Sequence, residues 1–151
     1  ATGEWLGKRP NAWGWTGYTG GEIFNNGSTV SVSGVTHTTG DILGCYIDLD
    51  NNKLYYAKNG TLVSSTGLSL TAAASTTNGH YFPSCGDYSG SSTATFELNF
   101  GNGYFGTTAV SSAVADEGGI GAFEYDPSAG TFDSASKDFR AICTKNIKEY
   151  G

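Results

Sequence analysis

The sequence predicts an all-β protein, and three observations lead there. Turn formers and β-branched residues dominate, with 23 Gly, 16 Ser, 18 Thr and 10 Asn in 151 residues and neither Gln nor Met. Several short stretches alternate apolar and polar side chains with the period of a half-buried strand. Helical periodicity is nearly absent, apart from one turn expected around Ser134 to Phe139. Short strands between Gly/Ser/Asn turns, with no blade-length repeat, favour an antiparallel sandwich over a propeller.

The clearest element runs from Asp41 to Gly60. Taken with period two, Leu43, Cys45, Ile47 and Leu49 share the face expected inward, while Tyr46, Asp48 and Asp50 share the face expected outward. Asn51 and Asn52 tolerate left-handed backbone angles, so a tight hairpin is expected there, returning through Leu54 and Tyr56 with Tyr55 outward. Lys58-Asn59-Gly60 makes a second turn and Thr61-Leu-Val63 the next strand. Elsewhere Val30 and Val32 are expected inward within Thr29 to Val35, as are Phe96, Leu98 and Phe100 within Ala94 to Phe100. Tyr81-Phe82-Pro83 opens another strand, Pro83 being tolerable near a strand start or an edge. Residues 101–130 read as long loops over a final strand at Ala122 to Tyr125.

A mass of 15.7 kDa is one domain's worth of chain. Charged residues are only 15%, which excludes a charge-driven disordered segment or a coiled coil, and no apolar run reaches the length of a membrane helix. The formal charge of −6 makes nucleic acid and anionic membrane poor partners, because both require a basic surface. Cys45, Cys85 and Cys143 are too widely spaced for a zinc pattern, and an odd count leaves at least one unpaired, so they are expected to pack as small core residues. Ala1 and the closing Asn146-Ile-Lys-Glu-Tyr-Gly151 read as the borders of a piece of something longer.

The hairpin resembles the core of the SPRY domain. Gly40, Asp41, Gly44, Asp48, Leu49, Asp50, Leu54, Tyr56, Asn59 and Gly60 fall on that family's pattern in order. Tyr81-Phe82-Pro83 is similar to its aromatic-aromatic-Pro strand, Phe96-Glu-Leu-Asn-Phe-Gly101 to its closing strand, and Trp5-Leu-Gly7 and Trp13-Gly14 stand upstream. Phe123-Glu-Tyr-Asp-Pro127 and Phe139-Arg-Ala-Ile-Cys-Thr-Lys-Asn-Ile147 resemble a tail that follows SPRY-like domains in large bacteriophage virion proteins. The resemblance implies a concanavalin-type sandwich of two antiparallel sheets with little or no helix. The resemblance covers most of residues 5–101; the sandwich is expected over 1–127, with the family's first strands missing or supplied by another subunit, and 128–151 is left as a tail or linker toward a further domain.

Asp48-Leu-Asp50-Asn-Asn52 imitates the start of a calcium loop, yet no glycine follows for its sharp turn and Asn59 stands where a bidentate Glu is required, so no metal is expected. Glu22, Glu97, Glu117 and Glu124 do not make the paired-carboxylate spacing of a glycoside hydrolase. His37 and His80 lie in turns without a nucleophile elbow. Recognition is what remains. Trp13, Trp15 and Tyr18 interleave with Gly14 and Gly17, and Asp87 with Tyr88 joins a loop at one end of the sandwich; exposed rings there would stack on a sugar face or a protein surface.

The expectation is therefore a non-catalytic binding or structural module of a virion protein, such as a tail fibre, spike or capsid decoration. It would need no cofactor, and its partners would be copies of itself, other virion subunits, or a host-surface glycan or protein. Two alternatives stand beside it: a cellular SPRY adaptor that binds peptides, and a polysaccharide-degrading tail-spike domain.

Overall fold

The computed structural model describes residues 4–18, 20–87 and 93–150. Among them the chain forms β1 (Trp13–Trp15), β2 (Glu22–Asn25), β3 (Ser28–Val32), β4 (Leu43–Asp48), β5 (Lys53–Lys58), β6 (Thr61–Leu62), β7 (Leu68–Ser69), β8 (Tyr104–Phe105), β9 (Thr108–Ala109), one turn of 3₁₀ helix (Ala73–Ser75) and one α-helix, α1 (Thr144–Tyr150). The ladders of β1 with β2, β2 with β3, β5 with β6, β5 with β7 and β8 with β9 are all antiparallel, so the all-β class holds. The chain condenses into two compact units. One comprises Ala1–Asp41, Leu49–Leu54 and Leu68–Phe96; the other comprises Ile42–Asp48, Tyr55–Gly67 and Glu97–Gly151.

In the first unit β1, β2 and β3 form a sheet in that order. Asn26 and Gly27 join β2 to β3 with φ of 51° and 74°, the two-residue turn whose twist suits a hairpin. A Cβ on Gly14 would come 2.4 Å from the Leu6 carbonyl oxygen, so only glycine lets β1 lie against the preceding chain. Ile23 is buried at the centre of the sheet, and Trp5 packs edge-on against Phe24 with centroids 4.9 Å apart. The alternation expected in β3 is inverted. Ser31 lies directly opposite Ile23, and opposed residues share a face, so Ser31 takes the buried side while Val30 and Val32 turn to solvent, Val32 being 63% exposed. Elsewhere in this unit Leu54 pairs with Leu68, Leu70 N–H donates to the Asn52 carbonyl at 2.8 Å, and Leu54 and Leu70 are buried.

Tyr81 to Pro83 and Ala94 to Phe100, expected as strands, carry no ladder. Side chains take the place of a neighbouring strand. Asp87 accepts the Ala94 N–H at 2.8 Å, and in the second unit Asn99 donates to the Ala122 carbonyl at 2.9 Å and accepts the Gly101 N–H at 2.8 Å. Phe96, Leu98 and Phe100 consequently stay exposed rather than inward, and Phe82 is exposed too.

In the second unit β4, the latter part of β5, and β6 are consecutive neighbours. The expected hairpin is present, with Asn52 at φ 53°, and Asn59 and Gly60 turn β5 into β6 at φ 48° and 79°. In β4, however, the two faces are exchanged, and in β5 Tyr55 is buried as well as Leu54. Tyr46 lies 5.7 Å from the ring of Phe132 and 5.2 Å from that of Phe139, and Tyr55, only 2% exposed, lies 5.1 Å from Phe132. Leu43 and Cys45 are exposed instead. Asp48 is held by Lys137 Nζ at 2.7 Å, and the Tyr55 hydroxyl donates to Asp133 at 2.6 Å. All of these partners lie between 132 and 139, within the stretch expected to be a tail. There Phe132 is fully buried, and Asp133 and Ser134 make a tight turn at φ 49° and 68° where a helical turn was expected. The strand expected at Ala122 to Tyr125 is reduced to one bridge, Phe123 with Val114.

The C-terminal part of this unit closes around a carboxylate. Asp116 is buried and accepts hydrogen bonds from the N–H groups of Ile120 (2.9 Å), Gly121 (3.1 Å) and Ala141 (2.7 Å), and from the Asn146 side-chain amide (2.6 Å) on α1. Burial alone would push this carboxyl up; the donors from Ala141, Ile120, Gly121 and Asn146 outweigh it and hold the group at about 2.

Two outcomes follow. Phe132→Ala removes the ring on which Tyr46, Tyr55 and Phe139 converge, and urea unfolding should show a loss of about 3–5 kcal/mol, at the large end for an aromatic truncation. Asp116 has an ordinary value of 3.8 and a folded value of about 2, so its contribution is complete above the ordinary value and fades as pH falls toward the folded one. Stability measured by urea at successive pH values should fall by about 2 kcal/mol through this window, and Asp116→Asn should flatten that slope.

Candidate functional site

Strand β1 places Trp13 and Trp15 two residues apart, on one face of the first unit's sheet. Their surroundings differ. Trp13 is half-buried and meets the edge of Tyr81 at 5.9 Å, with Tyr81 fixed by its hydroxyl, which donates to the Thr71 carbonyl at 2.8 Å. Trp15 is also half-buried; its indole N–H donates to the Val35 carbonyl at 3.2 Å and its ring lies edge-on to His37 at 4.8 Å. A Cβ on Gly17 would come 2.7 Å from His37 Nδ1, so the backbone closes over that imidazole, which is packed rather than an exposed loop histidine.

Tyr18 is 82% exposed. Its carbonyl is held by the Gly21 N–H at 3.1 Å and the Thr16 hydroxyl at 3.2 Å, so the backbone is fixed while the ring stands in water. Asp87 is exposed and occupied by the Ala94 N–H; Tyr88 lies outside the described residues. The structure therefore brings Trp13 to Tyr81 and leaves Trp15 with His37. The sequence reading missed Tyr81 and Phe82 as surface residues. Phe82 is 70% exposed, with the His80 ring 6.3 Å away. Pro83 was the available signal, since it withdraws a donor from any ladder in which Phe82 could have been covered.

The acidic groups serve local structure. Glu4 pairs with Arg9, accepting from Nε at 2.9 Å, and Glu124 accepts from the N–H and hydroxyl of Ser111. The Arg9 hydrogen bond holds the Glu4 carboxyl below its usual range, and the Ser111 bonds do the same for Glu124. Asp48, first oxygen of the calcium-loop imitation, is committed to Lys137. Among the described residues no three His, Cys, Asp or Glu side chains converge as a metal site would require. Cys45 and Cys85, expected in the core, are exposed, and Cys143 is half-buried; all three are free thiols.

The SPRY domain family matches residues 1–103. The chain belongs to the SPRY family. The matched span contains the Gly40 to Gly60 hairpin and the aromatic segments on either side of it, and the antiparallel, nearly helix-free architecture agrees with the family's sandwich. Ran-binding protein 9 of Danio rerio is 42% identical over 57 residues, which are 36% of this chain and 9% of that protein. The chain thus corresponds to a small part of this relative. No solved structure matches it. SPRY domains are generally non-catalytic protein-binding modules. The stretch that resembles a virion-protein tail begins at Phe123, beyond the matched residues, and neither match carries a bacteriophage context.

The two kinds of aromatic separate in a stability measurement. Trp15→Ala should cost about 3 kcal/mol in chemical denaturation, because it removes both packing and a partly buried hydrogen bond. Tyr18→Ala should stay within about 0.5 kcal/mol of the parent, as expected for a ring with no packing to lose.

Proposed function

We propose that this SPRY domain is a non-catalytic adaptor module that binds a short segment of a partner protein. The observation that carries this is the disposition of aromatics on the first unit. Phe82 and Tyr18 offer large apolar area to solvent, Tyr18 from a backbone held in place, and Trp13, braced by Tyr81, adds a partly open ring. Aromatic rings of low conformational entropy are the residue class that dominates protein recognition. Family membership supports the same reading, and so does a relative whose name records binding to Ran. The net charge of −6 favours a segment of neutral or basic character.

The virion setting rests on the tail resemblance alone, so the peptide-binding adaptor, held as the alternative from sequence, is the reading put forward. Selection of a displayed random-peptide library on the folded chain tests it. Selected peptides should lose about tenfold or more in affinity on Phe82→Ala or Trp13→Phe, by isothermal titration, in variants whose unfolding midpoints are unchanged. A library that enriches nothing, or peptides indifferent to these positions, would sink the proposal.

A further inference from the structure

Four Asn-Gly pairs occur in the chain: Asn26-Gly27, Asn59-Gly60, Asn78-Gly79 and Asn102-Gly103. Such pairs are prone to one reaction. The glycine amide nitrogen loses its proton to water and attacks the asparagine Cγ; the new C–N bond closes a succinimide ring as ammonia leaves. Water then adds to either ring carbonyl, giving aspartate or isoaspartate, with no oxidant or reductant involved. Closure requires the asparagine side chain and the glycine nitrogen to swing together. A fold that fixes either one suppresses it.

Three of the pairs are fixed. The Asn59 side chain accepts the Ile42 N–H at 2.8 Å, its own N–H donates to the Ile42 carbonyl at 2.8 Å, and Gly60 lies against Tyr125, where a Cβ would come 2.6 Å from the ring. Asn26 and Gly27 form the β2–β3 turn, with their N–H groups donating to Arg9 (3.3 Å) and Gly7 (2.9 Å), so closure there would break the hairpin. The Asn102 side chain accepts the Tyr104 N–H at 3.2 Å, and Gly103 is buried.

Asn78 is different. It is exposed, its side chain makes no hydrogen bond among the described residues, and it lies on no strand. A Cβ on Gly79 would meet nothing within 4 Å, and the Gly79 N–H is held only by Thr76, at 3.3 Å to the carbonyl and 3.1 Å to the hydroxyl, within one local turn. Opening that turn disturbs no ladder and no core residue, so it requires only a local fluctuation.

We propose that Asn78 is this protein's modification site for succinimide formation, with isoaspartate and aspartate as its products. The position gives the reaction a consequence, which rests on the recognition reading above. Either product adds a carboxylate, and isoaspartate also inserts a methylene into the backbone, two residues before His80 and three before Tyr81 and its contact with Trp13. Ageing would then alter the start of the aromatic segment.

The test is incubation of the whole folded chain at mildly alkaline pH, followed by peptide mapping with mass spectrometry and labelling by an isoaspartate-specific methyltransferase. Conversion should appear first at Asn78, several-fold ahead of the other three, and should fall when Gly79→Ala is introduced. In strong denaturant the four sites should converge, because the protection is structural. Conversion of folded Asn26, Asn59 or Asn102 as fast as Asn78, or equal suppression of all four, would overturn the proposal. Peptide affinity of the aged chain is read separately: an unchanged value with Asn78 converted rejects only the link to recognition.

Discussion

The second unit depends on a negative charge whose partners, among the described residues, are all neutral donors. Asp116 is buried, and its four donors come from three places in the chain: the turn at Ile120 and Gly121, the extended backbone at Ala141, and the helix side chain of Asn146. A buried carboxylate in an apolar setting would cost several kcal/mol and would protonate instead. Here backbone amides replace the lost water, and because they are already oriented by the fold, the ionised form is the one the site selects. The same charge therefore sets three distant segments in register. Asn146 adds a second tie by donating to the Ala141 carbonyl at 3.1 Å, so the helix end and the strand-like segment before it are fixed to each other as well as to Asp116.

Next to that anchor the Glu117 N–H donates to the Phe139 carbonyl at 3.3 Å, and Phe139 and Phe132 stand against Tyr46 and Tyr55. Phe132 and Phe139 lie 4.9 Å apart and edge-on, the arrangement preferred by ring quadrupoles. Asp133 then does two jobs from a left-handed turn: one oxygen accepts the Tyr55 hydroxyl and the other the Gly67 N–H at 3.1 Å. Burial first, and the Asp133 hydrogen bond next, push the Tyr55 hydroxyl well above its usual range, so the phenol stays a donor at any physiological pH. The Lys137–Asp48 pair beside it is partly buried and short, and loss of either partner would leave an uncompensated charge.

These contacts explain which parts of the molecule the sequence made legible. Turns were readable because their chemistry is local. Asn52 and Asn59 adopt positive φ for reasons contained in two or three residues, and the hairpin from Asp41 to Gly60 was located on that basis. Faces were not readable, because period two fixes which residues share a side and says nothing about which side is covered. In β4 the cover comes from residues nearly ninety positions later, where Lys137 reaches Asp48, so Leu43 and Cys45 lost to Tyr46 and Asp48 through a contact no local pattern encodes. In β3 the deciding partner was nearer, Ile23 opposite Ser31, but it required the register of a ladder containing a bulge. The short helix α1 follows the same logic: its place is set by Asn146 and Asp116 rather than by any periodicity of its seven residues.

The candidate site divides along the same line between local and distant causes. Trp13, Trp15 and Tyr18 look equivalent in a glycine-rich stretch, and it is long-range partners that separate them. Trp15 is claimed by Val35 and His37 and Trp13 by Tyr81, while the Tyr18 ring stays in water. A ring with its polar atom satisfied and its face packed contributes to folding, whereas a ring with area left over can contribute to binding, and burial of that area against a partner is worth roughly 25 cal/mol per Å² before ordering costs. Phe82 carries the largest such surplus among the phenylalanines because Pro83 denies its strand a ladder. The feature that looks like a failure of strand formation is thus the one that holds an aromatic side chain in water, where a partner's segment can reach it.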